Sequence, residues 1–221
     1  MNSIYPSDMK KYQQLLAVLI ILFLLSPFLE SGFGSIISDL LLLYTIVLVV
    51  RSFVLPKSLL FAYIAIASSS FFMQLSINLG WSPPFDQAFD VLSQIVFALY
   101  IGGAAYLIGR DVVAAPRITA DTVQGGVSVY LLIGFAWALL YSIVATIDPD
   151  AFSQPLMMQD SYLKTFHFSF TTLTTLGYGD IVPISEVALV LTNLEAIVGQ
   201  MYPAVFISAL VGGYLAHQTY P

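Results

Sequence analysis

The sequence predicts an all-α membrane protein with six transmembrane helices and one short re-entrant helix between the last two. Three observations predict it. Hydrophobic residues make up 58% of the 221 residues and charged residues only 9%, whereas a soluble domain runs near 45–50% apolar and about 25% charged. Apolar runs recur at membrane length: a helix rises ~1.5 Å per residue, so about 20 residues cross a hydrocarbon layer of roughly 30 Å. Finally, the basic residues fall almost entirely on one side of the topology that those runs imply.

The same composition excludes several function classes. There are no cysteines, so disulfides, thiolate catalysis and Cys-ligated metals are ruled out. The two histidines, His167 and His217, are too few to build a metal site alone. No basic run exists, so nucleic acid is not an expected partner. An enzyme would need convergent His, Cys or carboxylate groups at membrane depth. Glu195 is the only clear intramembrane carboxylate, so neither catalysis nor a cofactor is expected.

The apolar segments run Leu15–Leu29, Ile36–Leu55, Ser58–Leu79, Phe89–Ile108, Val127–Ile147 and Ser185–Ala216. The first is short and carries Pro27 near its end. With Lys10 and Lys11 before it, it has a signal peptide as its alternative. The following Glu30-Ser31-Gly32-Phe33 lacks a small-x-small cleavage site, which favours a signal anchor. With both termini cytoplasmic, Lys10, Lys11, Arg51, Lys57, Arg110 and Arg117 fall inside and only Lys164 falls outside. Glu30, Asp39, Asp86, Asp90, Asp148, Asp150 and Asp160 fall on the outer side. The spans were placed by hydropathy, so this charge bias is nearly independent support.

The loops divide the chain. Residues 1–110 form a four-helix unit. Residues 111–126, with Pro116, Asp121 and the Gly125-Gly126 pair, read as an interfacial linker with room for a short helix along the inner surface. Residues 127–221 hold the last two spans and the segment between them. No soluble domain is expected at either end.

Residues 171–180 read Thr-Thr-Leu-Thr-Thr-Leu-Gly-Tyr-Gly-Asp. Gly177 and Gly179, two apart, break any helix. Irregular backbone at membrane depth is tolerated only where it is buried in protein or lines water. Alternate glycines let the backbone take left-handed torsions, so that successive carbonyls point one way. Four copies would stack rings of oxygen able to replace the hydration shell of a cation. Ser161–Leu173 suits a short helix, N-capped by Asp160 or Ser161, whose partly negative C-terminal end favours a cation there. The bland reading is a tight turn between helices, which leaves Thr174, Thr175 and Asp180 without a reason.

This stretch resembles the potassium-channel signature T-x-G-Y-G-D with its threonine-rich pore helix. The region from Val127 to Ala216 resembles the helix–pore loop–helix module of that superfamily. The resemblance implies a selectivity filter whose K+ ligands are the carbonyls of Thr175, Leu176, Gly177 and Tyr178 and the Thr175 hydroxyl. Gly179, Asp180, Thr171 and Thr172 support it, and K+ in the filter is the only metal ion. It further implies a homotetramer in a lipid bilayer, in a bacterial-type plasma membrane. Leu176 departs from the commoner valine or isoleucine. His167 and Phe168 stand where the family often has two tryptophans, which puts a titratable group near the filter.

The last span also fits. Gly199 lies where inner helices of the family often carry a hinge glycine, and close helix packing is the equal alternative. Pro203 removes a backbone hydrogen bond and favours a kink. Leu194–Gln200 looks like a pattern common among small bacterial potassium channels, although the arginine that often follows is missing from Ile207–Leu210. Taking Gly199 as zero on a helical wheel, Gln200, Pro203 and Ile207 fall at roughly 100°, 40° and 80°. By resemblance that stripe faces the cavity. Glu195 falls at about −40° and about 15 Å deep. It therefore points sideways, toward the pore helix, where Thr171 and Thr172 offer hydroxyls.

Six spans with one pore loop resemble the voltage-gated architecture. Yet Phe89–Ile108 contains no arginine or lysine to move through the field. Its Gly102, Gly103, Ala104, Ala105 and nearby Gly109 point to tight helix packing, and Arg51 and Asp39 read as interfacial anchors. The first four helices are thus a sensor-like scaffold without gating charges. The reading is a K+-selective channel subunit. A weakly selective cation channel and a non-conducting accessory membrane subunit are the alternatives, and the intact Tyr178 argues against the former.

Overall fold

The structure, a computed structural model, describes residues 11–25, 86–115, 118–156 and 163–219, with scattered positions between 61 and 76. The described elements are all helices: α1 (Lys11–Leu25), α2 (Asp86–Val113), α3 (Ala120–Ile147), α4 (Leu163–Leu173) and α5 (Glu186–Thr219). Three stretches are long and apolar enough to cross a membrane, Gln87–Val113, Ala120–Ile147 and Glu186–Ala209. The expected span Ile36–Leu55, most of Ser58–Leu79, the anchors Arg51 and Asp39, Pro27 and the caps Asp160 and Ser161 lie outside the described residues.

The main core forms where α1 and α2 lie along α3. Leu15 and Leu19 of α1, Tyr100, Ala104 and Ile108 of α2, and Val129 and Leu132 of α3 are buried together. Ala104 is wholly enclosed and a Cβ at Gly109 would sit 3.9 Å from Val129, as tight packing requires. A Cβ at Gly102 would meet nothing within 4 Å, so that glycine has no packing role among the described residues.

One end of this bundle is closed by carboxylates. The Tyr12 and Gln13 backbone N–H groups donate to Asp121 Oδ1 at 3.0 and 3.3 Å. The side chain of a neighbouring helix thus caps the donors that the first turn of α1 leaves unpaired. The Tyr12 hydroxyl donates to Asp111 Oδ2 at 2.6 Å. The start of α1, the end of α2 and the start of α3 therefore meet, which brings the chain positions of Lys11 and Arg110 to one side.

The expected linker 111–126 is shorter as a break in structure. Helix α2 continues to Val113, and α3 begins at Ala120 behind Thr119. The Thr119 hydroxyl accepts from the Thr122 N–H, and the Thr122 side chain accepts from the Thr119 N–H, a reciprocal cap. Gly125 and Gly126 sit inside α3, not in a loop. A Cβ on Gly125 would lie 2.8 Å from Val112 and 2.9 Å from Tyr12, and one on Gly126 would overlap the Phe206 ring. A helical glycine costs about 1 kcal/mol relative to alanine. Here its lack of a side chain lets α1, α2 and α5 cross α3 at one level.

A second cluster holds the segment between α3 and α5. Tyr141, Phe152 and Phe168 meet edge to face, with centroids 4.8 Å apart for Tyr141–Phe168 and 5.3 Å for Phe152–Phe168. Leu156, Ile181 and Ala188 close it. The Ser153 N–H donates to Val182 O at 2.9 Å and the Ile184 N–H to Ala151 O at 2.8 Å. The loop after α3 is thereby tied to the chain leading into α5, and α4 is held between them.

Candidate functional site

The site is the chain between the end of α4 and the start of α5, and its shape is set by torsion. Thr175, Gly177 and Gly179 have φ of 57°, 53° and 76°, while Leu176 and Tyr178 between them do not enter the positive region. A Cβ at Gly177 or Gly179 would meet nothing within 4 Å. These two positions need glycine for the left-handed backbone, not for space. Alternation of this kind turns successive peptide carbonyls toward one side of the strand.

Thr175 adopts the same region without being glycine, at a cost of about 1–2 kcal/mol. Its surroundings offset this. Its N–H donates to Thr172 O at 2.9 Å, and the Gly177 N–H donates to Thr171 O at 3.1 Å. Its hydroxyl accepts from Gln200 Nε2 at 2.8 Å. Thr171 and Thr172 therefore act on this segment through their carbonyls, while the Thr171 hydroxyl donates to Phe168 O within α4 at 3.0 Å.

At the far end, His167 stacks on Tyr178 with centroids 5.8 Å apart and rings 5° from parallel. Its Nε2 lies 3.0 Å from Asp180 Oδ2. An ionised carboxylate only accepts, so the hydrogen of this bond sits on the imidazole. Partial desolvation pushes the Asp180 carboxyl up. The His167 hydrogen bond, the Asp180 and Ile181 N–H groups and the electrostatic pull of His167 outweigh it and hold the group below its usual range. Gln154 Nε2 donates to Asp180 O at 2.9 Å, so the loop after α3 braces this end.

Glu195 is fully buried and faces α4, as the wheel predicts, but its partners differ from those expected. The Tyr141 hydroxyl lies 2.5 Å from Oε2 and Ser169 Oγ 2.6 Å from Oε1. Thr171 and Thr172 are not its hydrogen-bond partners. The level at which α4 crosses α5 decides this, and a wheel of α5 alone carries no such information. Ser169 and Tyr141 were missed for that reason.

Gly199 marks that level. A methyl group there would overlap Leu173 O, the last carbonyl of α4, and the Tyr130 hydroxyl donates to the same oxygen at 3.2 Å. This is close packing. Helix α5 runs through Gly199 and Pro203 to Thr219 as one element. Gln200 and Ile207 lie on its exposed side, Ile207 at 58%. Leu176 and Tyr178 are also largely open in the single chain. Among the described residues no group of three or more His, Cys, Asp or Glu could hold a metal ion.

Comparison with known proteins adds an independent line. The ion channel family matches residues 126–212, from the early turns of α3 into α5. The voltage-gated potassium channel Kch of Escherichia coli (strain K12) is 32% identical over 85 residues, 38% of this chain but 20% of Kch. Protein LctB of Bacillus caldotenax is 31% identical over 126 residues, 53% of this chain and 90% of LctB. The chain thus spans a fifth of one relative and nearly all of the other. No solved structure matches it.

Proposed function

This chain belongs to the potassium-channel superfamily, and from that premise we propose that it is a K+-selective subunit, four copies of which enclose one pore. The observation that carries the reading is the alternation of positive φ at Thr175, Gly177 and Gly179. In this reading the carbonyls of Thr175, Leu176, Gly177 and Tyr178 form a column of oxygen ligands. One chain supplies a quarter of each ring, and closed fourfold symmetry completes it. K+ sheds water into rings that replace its hydration shell, and moves on because adjacent sites are alike and ions repel.

In this reading α4 is a re-entrant pore helix, whose C-terminal dipole favours a cation. Helices α3 and α5 are the outer and inner helices of the pore unit, 127–221. Residues 1–110 make the sensor-like unit, which completes six spans with both termini cytoplasmic. Gln200 and Ile207 line the cavity, and Pro203 with Gly199 is the place where α5 bends. The protein is a passive conduit in the plasma membrane, without a cofactor.

The test is flux. Purified protein in liposomes should pass K+ far faster than Na+, with block by Ba2+, and should run as a tetramer by native mass spectrometry. Equal K+ and Na+ passage would leave the weakly selective channel as the better reading. A stable dimer or trimer as the sole species would remove the ring.

A further inference from the structure

Ser169 Oγ has two short contacts to oxygen, at 2.8 Å to Gly134 O on α3 and at 2.6 Å to Glu195 Oε1 on α5. All three residues are buried. A serine hydroxyl carries one hydrogen, and a backbone carbonyl only accepts. If Glu195 were a carboxylate, both of its oxygens would only accept as well. One hydrogen would then have to serve two acceptors at bonding distance. The Tyr141 hydroxyl does not relieve this, because its hydrogen goes to Oε2. No ion pair among the described residues involves Glu195, so no cation there compensates a negative charge at membrane depth.

One added proton resolves the count. Tyr141 O–H then donates to Glu195 Oε2, Glu195 Oε1–H donates to Ser169 Oγ, and Ser169 O–H donates to Gly134 O. Each short contact then holds its own hydrogen. We infer that Glu195 is a neutral carboxylic acid whose proton relays this chain, and that it is the positioning residue which fixes α4 to both α3 and α5. Helix α4 needs such a fixing point. Its last turn supplies the Thr171 and Thr172 carbonyls that anchor Gly177 and Thr175. The Ser169 side chain bonds to both flanking helices. The inference holds whichever cation the site passes, because it rests on hydrogen counting alone.

Infrared spectroscopy of the full chain in lipid at neutral pH tests it without reference to conduction. The glutamates are Glu30, Glu186 and Glu195, so 13C-glutamate labelling isolates three carboxyl groups. The expected result is a 13C-sensitive carboxylic-acid carbonyl band, absent from Glu195→Gln. Should that variant fail to fold, Ser169→Ala serves instead and should shift the band upward, because the acid loses its acceptor. Glutamate signal in the carboxylate bands only, or an acid band unmoved by both changes, overturns the inference. Thermal melting gives a second readout. Glu195→Gln keeps a donor for Ser169 and an acceptor for Tyr141, and should melt much closer to the wild type than Glu195→Ala. An equal loss in both overturns the relay.

Discussion

Gln200 Nε2 donates to Thr175 Oγ1 across 2.8 Å, which joins α5 to the first left-handed residue of the proposed filter. Thr175 is the one non-glycine residue with positive φ in the described structure. A hydrogen bond from α5 at that residue helps to hold a torsion that its own Cβ opposes. Gln200→Leu should remove it at about 0.5–1.5 kcal/mol per subunit. The expected outcome is a lower melting temperature and faster loss of K+ flux during prolonged recording. Unchanged behaviour in both would show that the bond has no part in holding the filter.

Gly177→Ala and Gly179→Ala should each abolish K+ selectivity or conduction. A new Cβ meets open space at both sites, so the penalty is torsional, about 1–2 kcal/mol per residue and repeated in every subunit. The fold of each subunit should survive, because nothing within the chain clashes. K+ over Na+ preference, measured by flux in liposomes, should be lost while the subunit stays folded. Retained preference in both variants would refute the filter assignment.

Gly199→Ala should fail in a different way. Its methyl group would overlap the backbone oxygen of Leu173, which cannot rotate aside as a side chain would. Overpacking of this sort costs about 1–3 kcal/mol, and here it acts at the junction that locates α4. The expected result is a fall in thermal stability of the folded protein, before any effect on opening. A variant as stable as the wild type, with altered opening alone, would return Gly199 to a pure hinge role.

How much of this was legible in the sequence follows from what each signal depends on. Gly177 and Gly179 are legible because a local backbone demand leaves a local mark, whereas Thr175 comes from the resemblance and its positive φ leaves no mark in a non-glycine residue. The direction of Glu195 was readable from the 3.6-residue repeat, because it needs one helix only. Its partners Ser169 and Tyr141 were not readable, because they depend on where three helices cross. Gly125 and Gly126 were misplaced for a related reason. A glycine pair that follows Pro116 and Asp121 looks like a linker, and the nearness of Tyr12, Val112 and Phe206 explains two glycines inside a helix.

Opening should depend weakly on voltage. Helix α2 carries a single basic residue, Arg110 in its last turn, beside the carboxylate end of the bundle. Moving one elementary charge across the membrane is worth about 2.3 kcal/mol per 100 mV, and steep gating needs several such charges in each subunit. The conductance–voltage relation of purified protein in planar bilayers should be shallow. A steep curve would mean that the first four helices move charge by some other route.

Acid should weaken the outer end of the site, through Asp180. Its carboxyl is held below the usual value of 3.8, with the His167 hydrogen bond the largest of the contacts that lower it. A carboxylate held low in the folded state adds stability that is complete above its unfolded value. That stability is lost as pH falls through the lowered folded value. The Asp180 contribution should therefore be constant at neutral pH and disappear only in strong acid, below about pH 3.8. The stack of His167 on Tyr178 gives that loss a route to the filter, because the imidazole would keep its ring contact while its charged acceptor becomes a weaker, neutral one. K+ flux measured while the outer solution is acidified should fall in this range. Asp180→Asn should remove this acid limb and show reduced flux at all pH values, since an amide accepts from His167 more weakly than a carboxylate. An acid limb that persists unchanged in Asp180→Asn would place the titrating group elsewhere.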